Sequence, residues 1–276
     1  MVESVDSHGF RVVIPETHYL ALPVTEIGLP PLAGDRQNPV MDHQDAVADA
    51  RALVGELFPQ AHWAVLTGSV ITEHRTPGSD LDIVVVLPAD DPQAPHRDSR
   101  YFREWPVELF VHDEQTLAHY LAKELPQRKP HLHRMVARGV ALVGDPAKWQ
   151  AHCGDVLAAG PAPLTSAERE YARYCLTDLL DDLVHAVDPG EKTVIAATAW
   201  TAAAQQALAF ADRWAGTGKW LLRELRDLDR GFADRWLAAH GDAEAVEAVG
   251  REVLDRVGGP LFDGFRAVGE RPSGSG

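Results

Sequence analysis

The chain has 276 residues, 45% of them hydrophobic and 24% charged, the balance of a folded protein with room for one large domain or two ordinary ones. Its formal net charge of −15 argues against a nonspecific grip on nucleic acid, which needs Lys and Arg to neutralise phosphates. The longest clean aliphatic run, Ile83 to Leu87, is far short of a membrane span. The first residues carry no signal-peptide pattern, and Cys153 and Cys175 make no disulfide framework, so the sequence predicts a cytoplasmic protein that uses no membrane.

Residues 1–41 read as an irregular segment packed on the first domain, with prolines at 15, 23, 30, 31 and 39 and one short strand near 10–14. From Asp42, Ala46, Val47, Ala50, Leu53, Val54 and Leu57 recur at helical spacing until Pro59. Trp63 to Leu66 is a short apolar strand running into Gly68-Ser69. Leu81 to Leu87 is apolar on both faces after its acids, which predicts a central strand. Pro88 to Arg100 is polar and reads as a loop. Val107 to His112 is the next strand, and Asp113 caps a helix that reaches Leu125. Pro126 to Pro130 breaks the chain, and Leu132, Met135, Val136 and Val140 then predict another helix. A joint follows near 146–163.

Beyond it the strand signals stop. Thr165-Ser166-Ala167-Glu168 has the form of a capping box, and helices are predicted at about 166–187, 191–214, 218–229, 231–240 and 242–257. The expected organisation is an α/β domain over 42–150 with a mixed sheet, an all-α domain over 151–268 and a disordered tail over 269–276.

One constellation carries chemistry. Asp80 and Asp82 stand two apart at the start of a strand and therefore share a face. In the later strand Glu108, Phe110 and His112 share a face, so adjacency of the two strands would bring Glu108 beside the aspartate pair. Like charges gathered in this way call for a hard cation with oxygen ligands. The small Gly68-Ser69 turn leaves backbone N–H groups for phosphate. Metal and phosphate at one sheet edge point to phosphoryl or nucleotidyl transfer.

Gly68-Ser69, about ten residues, Asp80-Leu81-Asp82 and then the strand around Glu108 resemble the nucleotidyltransferase superfamily that includes DNA polymerase beta. The layout is most similar to small-molecule (aminoglycoside-type) adenylyltransferases, which join such a domain to a helical one. The resemblance implies ATP or another NTP as donor, one or two Mg²⁺ ions, release of pyrophosphate and an active site in the cleft between domains. It implies that Asp80 and Asp82 hold metal, that Glu108 ligates metal or takes the acceptor's proton, and that Gly68 and Ser69 hold the β and γ phosphates. Lys219, at the start of a C-terminal helix, is the candidate for a further triphosphate contact. The expected acceptor is a hydroxyl on a small molecule. The alternatives are a protein acceptor, as in antitoxin-like adenylyltransferases, and a nucleotide-binding regulatory module without turnover. Glu73 and His74 depart from the family pattern, because a negative charge near a triphosphate is unfavourable unless it faces away.

Other features read as ordinary. Gly216-Thr217-Gly218-Lys219 is no P-loop, since Arg213 replaces the first glycine and Trp220 the metal-binding hydroxyl. His131, His133, His152 and Cys153 fit no zinc spacing. Arg128, Lys129 and Arg134 read as a solvated helix edge, Asp178, Asp181 and Asp182 as a solvated face, and Trp200 and Trp220 as core rather than base-stacking platforms.

Overall fold

In the computed structural model, residues 2–5, 11–14 and 43–267 are described. The chain divides into two compact units. The first comprises 1–126 and 131–157, the second 127–130 and 158–276. Strands β1 (Val2–Val5) and β2 (Arg11–Ile14) pair antiparallel in a sheet of their own. The other expectations for residues 1–41, and those for the tail from 269, lie outside the described residues.

In the first unit, helix α1 (His43–Leu57) is followed by β3 (Trp63–Thr67), a 3-10 turn at Ser69–Ile71, β4 (Leu81–Val86), β5 (His96–Phe102) and β6 (Trp105–His112). Helices α2 (Glu114–Gln127) and α3 (His131–Arg138), strand β7 (Val140–Gly144) and helix α4 (Ala147–Ala159) complete it. The five main strands lie in the order β5-β6-β4-β3-β7, with β4 and β6 parallel and the other neighbours antiparallel. Both faces of the sheet are buried. Ala46, Ala50, Leu53 and Val54 of α1 pack on Leu66, Leu81, Ile83, Val85, Leu109 and Val111. On the other face Val65, Val84, Val86 and Phe110 meet Leu117, Leu121, Leu132 and Val136. Burial on both sides explains why β4 reads as a nearly continuous aliphatic run.

Three expectations of secondary structure are corrected. The loop read over 88–100 runs into β5, an edge strand that among the described residues pairs only with β6. Its sequence, HRDSRYF, lies half-exposed or exposed throughout and so lacks apolar alternation. Val140 belongs to β7 and not to the preceding helix. The chain turns at Gly139, where a Cβ would stand 2.6 Å from the Val65 side chain. The predicted joint contains α4, whose first turn is held by Asp145 Oδ1 accepting from the Ala147 amide at 3.0 Å. Only Cys153 of α4 is fully buried, so no apolar stripe announces it.

The second unit contains α5 (Ser166–His185), α6 (Pro189–Phe210), α7 (Lys219–Leu228), α8 (Arg230–Ala238) and α9 (Ala243–Asp255). Thr165 and Glu168 form the predicted capping box. Leu176, Leu180, Leu183, Leu208, Leu225, Phe232 and Val253 make its core with the alanine face of α6. Trp200 belongs to this packing: its ring stacks on Trp236 at 4.0 Å, and each indole N–H donates to the other residue's carbonyl at 2.7 Å. Arg128 is not a solvated edge residue. It donates to the carbonyls of Ala162 and Ala209 within its unit. Arg134, read with it, is buried in the first unit. Among the described residues no helix is long and apolar enough to cross a membrane.

Candidate metal centre

The site starts where β3 ends. Gly68 has φ 86° and ψ −168°, a conformation essentially reserved for glycine. A Cβ there would stand 2.2 Å from Asp82 Oδ2, so the bare backbone of Gly68 lies against the Asp82 carboxylate. Ser69 opens the 3-10 turn. Its hydroxyl is hydrogen-bonded to that of Ser79 at 2.8 Å, and the buried Ser79 Oγ also accepts from the Thr76 amide at 2.9 Å. The loop between the turn and β4 is thereby tied at both ends, directly before Asp80. Glu73, on this loop, is exposed and has His74 Nε2 3.5 Å from its carboxylate, so its charge faces water.

Pairing brings the acids together. Asp82 of β4 stands opposite Glu108 of β6, and Thr67 of β3 stands opposite Asp82 on the other side. Along β4 the shared face runs Asp82, Val84, Val86, and along β6 it runs Glu108, Phe110, His112. The acids come first and the buried residues follow. One ligand oxygen each from Asp80, Asp82 and Glu108 lies within 4.8 Å of the others. Among the described residues this is the one such group of three or more His, Cys, Asp or Glu, and all three are half-buried.

Two unit charges about 5 Å apart repel by roughly 3 kcal/mol at an effective dielectric near 20, and the site contains three such pairs. Part of this is offset by Arg97 of β5, whose Nη2 is 2.6 Å from Glu108 Oε2. The guanidinium also lies 4.7 Å from the centre of the Phe110 ring. Sequence reasoning missed Arg97 because it stands in the segment read as a loop; no periodicity marks it. An all-oxygen donor set with excess negative charge fits a hard divalent cation.

Lower on the same face the environment is dry. His112 is fully buried and its pKa is pushed down to about 4, chiefly by burial, with His96 acting in the same direction and Asp113 opposing. The imidazole is therefore neutral at physiological pH.

Of the residues singled out in the sequence, Gly68, Ser69, Asp80, Asp82 and Glu108 lie in the first unit, with Gly68 against Asp82 and the three acids grouped. The Ser69 hydroxyl is engaged with Ser79. Lys219 is the exposed first residue of α7 in the second unit. His133 is buried, with Nδ1 2.9 Å from Glu124, and burial raises the Cys153 thiol to about 12. Asp178, Asp181 and Asp182 are all exposed.

No family model matches the chain. No curated protein matches it either. Among solved structures, a nucleotidyltransferase-like protein from Exiguobacterium sibiricum 255-15 is similar, with a TM-score of 0.41 and 13% sequence identity, over 76% of this chain and 74% of that one. A likeness of this degree assigns neither family nor activity.

Proposed function

We propose that the chain is a Mg²⁺-dependent nucleotidyltransferase. It moves a nucleoside monophosphate, with AMP the favoured one, from an NTP to a hydroxyl of a small-molecule acceptor. The single observation that carries this reading is the grouping of one oxygen each from Asp80, Asp82 and Glu108 within 4.8 Å, with Asp82 and Glu108 opposite each other on the β4/β6 pair.

Asp80 and Asp82 hold the divalent ions, and Glu108 either completes their ligands or accepts the acceptor's proton. When bound, the ions supply charge neutralisation at the phosphates and at the attacking and leaving oxygens. The acceptor oxygen forms the new bond to the α-phosphorus and gives its proton to Glu108 or to water, the bond from that phosphorus to the bridging oxygen breaks, and pyrophosphate leaves with the electron pair. The Gly68-Ser69 turn is the proposed phosphate rest, through backbone N–H groups, since the Ser69 hydroxyl is held by Ser79. In the second unit, the exposed Lys219 at the start of α7 is a proposed phosphate-binding cation. A regulatory module without turnover would need the Glu73 charge to oppose the triphosphate, and the outward exposure of that side chain speaks against it. The free cysteines and the charge of −15 favour a cytoplasmic setting without a nucleic-acid partner.

The test is Asp80→Asn, assayed for Mg²⁺-dependent pyrophosphate release from NTPs across a panel of hydroxyl acceptors. A loss of roughly a hundredfold or more is expected, since even the residues that only support metal ligands are worth 10–100-fold. The melting temperature should be retained. Unchanged turnover in a folded Asp80→Asn protein would remove the assignment.

A further inference from the structure

We infer that Arg97 is a resident counter-ion of the acidic group: it neutralises Glu108 when no metal is bound, and a divalent cation must compete with it. The inference rests on the acidic group being a cation site, as proposed above. It assigns to the edge strand β5 a control over metal loading.

The geometry is specific. Arg97 faces Phe110 across the β5/β6 pair, and Ser99 faces Glu108. On a strand, residues two apart share a face, so Arg97 reaches along that face to the acid. Its Nη2 approaches Glu108 Oε2 to 2.6 Å, while its guanidinium lies over the Phe110 ring at 4.7 Å. The cation is thus held by a carboxylate and by a π face together, which fixes it better than a surface ion pair. The Arg97 side chain is 24% exposed and that of Glu108 33%, so water screens the pair incompletely.

Two effects of Arg97 on a cation oppose each other. Orienting Glu108 favours binding, by the rotamer freedom of one side chain. A full positive charge on a neighbour of the ion disfavours it, and at these distances the Coulomb effect on a divalent ion exceeds the entropy of one rotamer set. The net effect of Arg97 is therefore antagonism, strongest for the metal alone. A phosphate-bearing ligand brings negative charge of its own and makes the antagonism smaller. The aspartates alone attract any divalent ion, whereas a site with a built-in guanidinium favours an ion that arrives with phosphate.

The experiment is Mn²⁺ binding to the full chain, read by the spin-resonance signal of free Mn²⁺, for the unaltered protein, Arg97→Met and Arg97→Lys. Methionine keeps an apolar contact on Phe110 and removes the charge, whereas lysine keeps the charge. Arg97→Met should bind Mn²⁺ roughly tenfold tighter or more, because a unit charge near a divalent ion is removed. Arg97→Lys should stay within about threefold of the unaltered protein by the same reasoning. With inorganic pyrophosphate present, the gap between Arg97→Met and the unaltered protein should shrink. If the unaltered chain binds Mn²⁺ in an Asp82-dependent way and Arg97→Met binds equally or more weakly, the counter-ion role is overturned and the metal site stands. If neither protein binds Mn²⁺, the metal site and the counter-ion role fall together. Should Arg97→Met fold poorly, Arg97→Gln carries the same expectation.

Discussion

Two acidic trios in this chain have opposite fates. Asp178, Asp181 and Asp182 lie on α5 with all three side chains exposed. Asp80, Asp82 and Glu108 lie half-buried, with ligand oxygens within 4.8 Å of one another. On a helix, neighbouring acids are free to lean into water, and repulsion between them costs only tenths of a kcal/mol. On paired strands they have no such freedom. The parallel register fixes Glu108 opposite Asp82, and Asp80, directly before the first residue of β4, completes the group at the strand's entry. Convergence against repulsion is therefore imposed by the sheet, and it is informative in a way that mere acidity is not.

The largest expected break in the comparison comes from neutralising one acid of each trio. Asp82→Asn should lower the proposed Mg²⁺-dependent transfer by roughly a hundredfold or more, like Asp80→Asn, because it removes a proposed metal ligand outright. It should also relieve repulsion and leave the melting temperature unchanged or raised. His112 tests the dry part of the same strand face. Its folded pKa of about 4 lies below the ordinary histidine value of 6.5, so the folded state resists protonation. Stability from this source is fully present above pH 6.5, falls as the pH drops toward 4, and amounts to about 3 kcal/mol at most. Replacing His112 by Phe should flatten that part of a denaturant-midpoint profile measured against pH.

Gly68→Ala probes the backbone that lies against Asp82. A forced φ of 86° and a Cβ 2.2 Å from the carboxylate should cost about 1–3 kcal/mol in chemical denaturation. The smallest effect belongs to the helical trio. Asp181→Asn should shift stability by less than about 0.5 kcal/mol, as surface changes generally do, and should leave metal binding unchanged. A Mn²⁺ affinity that responded to Asp181 as strongly as to Asp82 would erase the distinction between the trios.

Much of the acidic group was legible because its strands are loud. The Val and Ile run of β4 and the alternation in β6 each identify a strand, and the period of two then puts the acids on definite faces. The capping box at Thr165 and the alanine-rich α6 were legible for a similar reason, as local rules that tertiary packing did not override. Arg97 was not legible, because an edge strand needs no apolar face and HRDSRYF shows none. The role of Ser79 was hidden too: a hydroxyl that ties a loop to Ser69 has no sequence period, only a place beside Asp80. Helix α4 escaped because only Cys153 of its residues is fully buried. For Arg97 and Ser79 the missing signal was a tertiary contact, and for α4 it was an apolar stripe.

The central claim is that Asp80, Asp82 and Glu108 hold the metal that serves nucleotidyl transfer. It is tested most directly by crystals of the full chain soaked with Mn²⁺ and a non-hydrolysable NTP, with manganese located by its anomalous signal. Manganese is expected at Asp80 and Asp82, with the triphosphate beside the Gly68-Ser69 turn. Manganese and nucleotide bound elsewhere, with the three carboxylates bare, would contradict it.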